Sequence, residues 1–373
     1  MEKSTRPGDA RGRTSEPSPR DAGAARVLIA DDSASVRAYL AHIMTCAGLT
    51  VAGFARDGEE AVRQAALLAP SVITMDIDMP GLDGFQATKR IMEIAPTPIV
   101  IVSAHYDKTQ MRRTFAALEA GALAIMEKPS GADTKQCTEA ARELGRMVAL
   151  MATVHPGRRS KNAPKVHESP PAASDACTRP EISLAVIGAS TGGPPSLRSI
   201  LTNLDPRVRV PIVVVQHMTP GFLPGMVDWL GSASPLPVSV AEAEEQALPG
   251  RVYFAPDGFH LEIDASLRFH LCDETRENSV TPSVSRLFAS AAKARGKETL
   301  AILLSGMGAD GAREFKLLGD MGACAVLQNE ETCAVFGMPG AALRLGAKAL
   351  ALAPKAIADL INTLSQASKG PGQ

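Results

Sequence analysis

The chain has 373 residues, with 39 Lys and Arg against 40 Asp and Glu; it is too long for one ordinary core and too evenly charged to carry a polyanion-binding field, so two domains are expected and a nucleic-acid partner is disfavoured. Its longest apolar runs, such as residues 300–304, are strand-sized and far short of the roughly 20 residues of a spanning helix, which argues against membrane insertion. Six cysteines without CxxC spacing (Cys46, Cys137, Cys177, Cys272, Cys324, Cys333) argue against a zinc site and a disulfide framework and point to a reducing cytoplasm.

In chain order, residues 1–24 are rich in Arg, Pro, Ser and Gly and lack the apolar centre of a signal peptide, so a disordered tail is expected. Over 25–153, aliphatic runs at 27–30, 51–54, 71–75, 99–102 and 122–126 alternate with helical stretches. That pattern predicts an α/β domain with five parallel strands. Residues 154–181 mix Arg, Lys, Pro, Ser and Ala with few large apolar side chains, the composition of a flexible linker, and the Arg158, Arg159, Lys161 cluster is read as solvated. Over 182–367 the alternation resumes with strands at 184–187, 212–215, 252–255, 300–304 and 324–327. A second, doubly wound α/β sheet follows, with a β-hairpin where 261–264 and 267–271 flank the turn at Ala265 and Ser266. Residues 368–373 are a tail.

In a parallel sheet, ligands bind beyond the carboxyl ends of the strands. In the first domain those positions hold Asp31 and Asp32, Asp76, Ser103 and Lys128. Three carboxylates in one pocket repel one another and call for a cation, which Mg²⁺ supplies to oxygen ligands; Lys128 and Ser103 complete a phosphate-sized cage. Any one of these residues alone is ordinary turn or helix-cap chemistry, but five suitable types at four strand ends are not. No Gly-rich phosphate loop follows the first strand, which disfavours a nucleotide there.

Asp31-Asp32-Ser33, the run Met-Asp-Ile-Asp-Met-Pro-Gly-Leu-Asp-Gly at 75–84, Ser103-Ala104 and Lys128-Pro129 resemble the receiver domain of two-component signalling over about 26–151. The resemblance implies a flavodoxin-like fold with Asp76 as phosphoacceptor. Asp31, Asp32 and the backbone carbonyl of Asp78 would join Asp76 around Mg²⁺, and Ser103 and Lys128 would contact the phosphoryl oxygens. Ile125 stands where the family usually has an aromatic residue.

In the second domain, Gly188-Ala189-Ser190-Thr191-Gly192-Gly193 follows the strand at 184–187 and precedes Pro194-Pro195, which suit a first helical turn. Gly-x-Ser-x-Gly can expose a serine nucleophile on a strand-to-helix turn. By itself it equally describes a phosphate-binding or merely tight turn. Two further strands end in Gln216-His217 and in the run 305–311 containing Asp310. Serine needs a base, His217 can be one, and Asp310 can hold its tautomer; His260 and His270 are rival bases.

Gly-Ala-Ser-Thr-Gly-Gly-Pro at 188–194, Gln-His-Met at 216–218, Phe222, Leu-Leu-Ser-Gly-Met-Gly-Ala-Asp-Gly at 303–311 and Phe-Gly-Met-Pro at 336–339 resemble the catalytic domain of CheB-type chemotaxis methylesterases. The resemblance implies Ser190 as nucleophile, His217 as general base and acid, and Asp310 as orienting carboxylate. It places Thr191 and Met307 at the oxyanion site. It also implies hydrolysis of glutamate γ-methyl esters on methyl-accepting chemoreceptors and deamidation of their glutamines, with no metal in that step, and a chemotaxis histidine kinase as phosphodonor. The unphosphorylated receiver is expected to cover the serine. Ser285 and Asn329 stand where the family commonly carries Asp, on the expected substrate side. Two other classes remain open: a phosphorylation-dependent binding protein without catalysis, and a nucleotide or second-messenger binder using Gly188, Gly192 and Gly193.

Overall fold

The computed structural model describes residues 24–103, 108–129, 136–154, 182–273 and 280–366. The expected N- and C-terminal tails, nearly all of the linker with its basic cluster, and Ala104 lie outside these. Strands β1 (Arg26–Ala30), β2 (Thr50–Ala55), β3 (Val72–Met75), β4 (Ile99–Ser103) and β5 (Ala124–Glu127) form a parallel sheet in the order β2-β1-β3-β4-β5. Helices α1 (Ala34–Cys46), α2 (Gly58–Leu68), α3 (Gly84–Ile94), α4 (Lys108–Glu119) and α5 (Gln136–Met151) alternate with them. Strands β1, β3 and β4 are buried almost throughout, as expected of parallel strands covered on both faces. The order puts β1 beside β3, so Asp31 and Asp76 emerge from neighbouring strand ends.

The second sheet comprises β6 (Leu184–Ala189), β7 (Ile212–Gln216), β8 (Val238–Val240), β9 (Val252–Phe254), β12 (Thr299–Leu303), β13 (Cys324–Gln328) and β14 (Leu350–Leu352), all parallel, in the order β14-β13-β12-β6-β7-β9-β8. Between β9 and β12 in the chain, β10 (His260–Ile263) and β11 (Phe269–Cys272) pair as the antiparallel hairpin. The sequence shows five of the seven sheet strands. The other two, β8 and β14, are three-residue edge strands, partly exposed, and therefore lack the continuous apolar run that marks a central strand. Helices α6 (Gly193–Thr202), α7 (Leu223–Gly231), α8 (Val284–Ala294), α9 (Ala312–Asp320), α10 (Met338–Arg344) and α11 (Pro354–Gln366) complete the domain. Among the described residues no helix is long and apolar enough to cross a membrane. Cys46 and Cys333 are free thiols. Cys324 is disulfide-bonded, a departure from the reading of the cysteine spacing as an argument against disulfides.

Candidate functional site

Two sites occupy the carboxyl ends of the two sheets. In the first, the carboxylates of Asp31, Asp32 and Asp76 offer oxygen atoms all within 4.8 Å of one another. Lys128 Nζ lies 2.8 Å from Asp31 Oδ2 and 2.7 Å from Asp76 Oδ2. Burial pushes the Asp76 carboxyl up to about 6 against the pull of Lys128. Burial also works against the Lys128 ammonium, but the charges of Asp76 and Asp31 outweigh it and hold its pKa above the ordinary value. Asp31 Oδ2 is buried and has no hydrogen-bond partner beyond that ion pair. One ammonium against three carboxylates leaves excess negative charge on oxygen, which fits a hard divalent cation. Ser103 ends β4 fully buried, and Asp78 N approaches Asp76 Oδ1 at 3.4 Å. Asp31, Asp32, Asp76 and Lys128 thus lie together, with Ser103 at the end of the neighbouring strand.

The second site is built on the three central strands β12, β6 and β7. In the ladder Ala189 pairs with Gln216 and Leu303 with Gly188, so the residues just past the strand ends, Ser190, His217 and the run from Ser305, converge. Ser190 N donates to Ser305 O at 3.0 Å, and Ser305 Oγ donates to Thr191 O at 2.8 Å. Gln328 Oε1 in turn accepts from Ser305 N at 2.9 Å. The serine turn is thus pinned from β12 and β13. It needs its glycines: Gly192 has φ +77°, and a Cβ on Gly306 would lie 2.7 Å from Ser190 Cβ and 2.3 Å from Met338 Sδ. The turn leads into α6, whose amino end and unpaired amides favour negative charge nearby.

His217 Nε2 lies 2.9 Å from Asp310 Oδ2. Asp310 also accepts from Ser283 Oγ (3.0 Å), Val284 N (2.7 Å) and Ser285 N (3.0 Å). Ser283 is the N-cap of α8, so this carboxylate sits on the first-turn amides of an 11-residue helix, where an anion is stabilised. Burial works against ionisation, yet the bonds from His217 and Ser285 outweigh it and hold the Asp310 carboxyl well below the usual carboxylate range. An ionised Asp310 only accepts, so in the neutral ring Nε2 carries the proton and Nδ1 its lone pair. Ser190 Oγ makes no hydrogen bond to His217 among the described residues, although both line one cavity of about 270 Å³.

Thr191 lines the same cavity and Met307 is exposed nearby; among the described residues the backbone N–H of neither donates a hydrogen bond. The rival histidines lie elsewhere. His260 is buried in the hairpin, and His270 is held by Asp264 Oδ2 at 3.0 Å and Glu244 Oε1 at 3.2 Å. Burial pushes the Cys333 thiol up to about 12, so no thiolate competes there as nucleophile.

Ser285 is not among the residues that line that cavity. Its hydroxyl donates to Glu314 Oε2 at 2.7 Å and accepts from Gly311 N at 2.8 Å. Sequence reasoning misses Ser283, Ser305, Gln216 and Gln328 as supports. The available signal for Ser283 is its place as a Ser one residue before a helix; for the others it is only a polar side chain at or just past a strand end.

The receiver-like domain packs on this site. Phe115 of α4, fully buried, stacks on Trp229 of α7 with centroids 5.4 Å apart and planes at 23°. The Arg198 guanidinium lies 4.6 Å from the Trp229 ring centre and ion-pairs with Glu119 of α4. Thr191 Oγ1 reaches Met147 Sδ of α5 at 3.9 Å. Phe115, Leu123, Ile125 and Met147 roof the cavity over Ser190 and His217.

Two family models match: "CheB methylesterase" over residues 185–361 and "Response regulator receiver domain" over 27–140. The chain is 44% identical over 348 residues to the "Protein-glutamate methylesterase/protein-glutamine glutaminase 1" of Syntrophus aciditrophicus, spanning 91% of this chain and 98% of that protein. It is 42% identical over 341 residues to enzyme 3 of that name from Hahella chejuensis, with the same 91% and 98% coverage. The solved catalytic domain of Thermotoga maritima CheB methylesterase is 38% identical, with a TM-score of 0.47, and covers 49% of this chain and 98% of its own. With a receiver-like pocket at one sheet, Ser190, His217 and Asp310 at adjoining strand ends of the other, and relatives aligned over nearly their full length, the chain belongs to the CheB methylesterase family of response regulators.

Proposed function

We propose that this protein is a phosphorylation-activated esterase that removes methyl groups from glutamate γ-methyl esters of chemoreceptors and deamidates their glutamines. The observation that carries the chemistry is the His217–Asp310 pair at 2.9 Å beside Ser190 at adjoining strand ends. Ser190 Oγ attacks the ester carbonyl while its proton passes to His217 Nδ1, the ring nitrogen not committed to Asp310. The imidazolium is stabilised by ionised Asp310 and returns the proton to the departing methoxide, which leaves as methanol. Water, giving a proton to His217, then attacks the acyl-serine and releases glutamate and free serine. With a glutamine side chain the leaving group is ammonia. The free amides of Thr191 and Met307 are the donors for the oxyanion. Non-catalytic binding and nucleotide binding explain a glycine-rich turn but not a serine, a histidine and a depressed carboxylate brought together.

Asp76 is the phosphoacceptor and a chemotaxis histidine kinase the donor, in a cytoplasmic setting. Asp31, Asp32, Asp76 and the Asp78 carbonyl would hold Mg²⁺, which when bound offsets charge on the incoming phosphoryl group, and Ser103 and Lys128 hold its oxygens. Phosphorylation replaces the single negative charge of the Asp76 carboxylate with a phosphoryl group carrying about −1.5 to −2 and repacks the face that roofs Ser190. The test is methanol release from methylated receptor membranes with and without a small phosphodonor and Mg²⁺. Stimulation is expected in wild type and absent in Asp76→Asn; equal stimulation of both would remove Asp76 from the regulation.

The roof is itself testable. Truncating a buried aromatic anchor costs about 2 kcal/mol at an interface, a factor of roughly 30 in an equilibrium. Phe115→Ala and, from the other side, Arg198→Ala are therefore expected to raise methanol release by the unphosphorylated protein toward the rate of residues 182–367 alone. Basal rates unchanged in both variants would sink occlusion by this contact.

A further inference from the structure

We infer that Gln216 is a positioning residue that sets the spacing between nucleophile and base; this rests on the reading of Ser190 and His217 given above. Gln216 closes β7 opposite Ala189, the last residue of β6. The ladder between these strands ends with His217 N donating to Ala189 O. Past that point, among the described residues, a single side chain joins the two backbones: Gln216 Nε2 donates to Ser190 O at 2.9 Å and to His217 O at 2.7 Å. Ser190 O also accepts from Gly193 N at 2.8 Å.

The amide orientation is forced by chemistry. Both partners are carbonyl oxygens, which only accept, so the NH₂ group must face them and each of its protons is used. Oε1 is then turned away, buried and without a hydrogen-bond partner. It rests against Gly193, where a Cβ would come within 2.2 Å of it. An unsatisfied buried acceptor is destabilising, and the other four residues of β7 are Ile and Val. A core position with no task would be filled at lower cost by another aliphatic side chain. What the amide does there is bind the carbonyls of the two residues whose side chains must meet, residues that the sheet no longer holds in register. The residue does not touch substrate in this role; it acts through Ser190 and His217.

The experiment uses the full chain, activated by phosphodonor and Mg²⁺, with kcat and KM for methyl-ester hydrolysis measured across pH for wild type, Gln216→Leu, Gln216→Glu and Ser190→Ala, and thermal unfolding alongside. Because a misplacement of about 1 Å can cost roughly 100-fold in rate, Gln216→Leu is expected to lower kcat between about 10- and 100-fold with KM nearly unchanged. In Gln216→Glu the introduced carboxyl can donate one hydrogen bond when protonated and repels both carbonyls when ionised. Its kcat relative to wild type is expected to rise as pH falls, whereas the ratio for Gln216→Leu stays flat. A merely structural role would move unfolding temperature and active fraction but not this ratio. Wild-type kcat in Gln216→Leu, or a flat ratio in Gln216→Glu, would overturn the proposal while leaving the serine mechanism standing if Ser190→Ala is inactive. Full activity in Ser190→Ala would overturn both.

Discussion

Ser190→Ala is expected to release methanol from methylated receptor at a rate lower by roughly six orders of magnitude, the scale found when a triad serine is removed. The loss should fall on kcat, because the hydroxyl supplies the bond that forms in the transition state and little of the binding surface. The fold should hardly notice. Among the described residues Ser190 Oγ has no hydrogen bond to lose, its Cβ against Gly306 is retained, and the turn is held by backbone bonds to Ser305 and Gly193. A stability change within about 0.5 kcal/mol is expected. Single-turnover methanol release together with thermal unfolding separates the outcomes, and an inactive but destabilised protein would not support the nucleophile assignment.

Asp310→Asn is expected to lower kcat by on the order of 10⁴, as wrong-tautomer variants of this arrangement do. Asp310 accepts from four groups: the His217 ring, Ser283 Oγ, Val284 N and Ser285 N. An amide has one accepting atom, so its NH₂ must face at least one of these donors or turn His217 to the opposite tautomer, with the proton on Nδ1 where the serine needs a lone pair. The same substitution should alter stability against pH. Burial works against the Asp310 charge, but His217 and Ser285 overcome it and the folded pKa lies below the unfolded value. The stability this contributes is fully present above the ordinary carboxylate pKa of about 4 and is lost as pH falls toward the folded value. Wild type should therefore exceed Asp310→Asn in unfolding free energy above about pH 4, and the gap should close in more acid solution. A pH-independent gap would mean that the carboxylate charge is not what α8 holds.

Residues at strand ends are legible in the sequence because parallel strands buried on both faces read as unbroken apolar runs, and the polar residue that follows each run has few places to be. Asp31, Asp76, Ser103, Ser190 and His217 are all located in this way, and the hairpin and the two-sheet architecture come from the same pattern. The topology that makes those ends adjacent is not in the pattern. His217 and Asp310 are 93 positions apart, and nothing local records that β12 and β7 flank β6. Neither Ser283 nor Ser285 can be matched to Asp310 from sequence, because their bonds depend on where α8 begins relative to a loop after another strand. The stacking of Phe115 on Trp229 and the Arg198–Glu119 pair likewise join two domains through side chains that are unremarkable in sequence. Residue type and strand periodicity are local properties, and they suffice to specify which chemistry each sheet edge carries. How far apart those groups stand, what holds them there and what covers them are set by the folded chain alone, because only long-range packing and hydrogen bonding bring distant segments within a few ångströms.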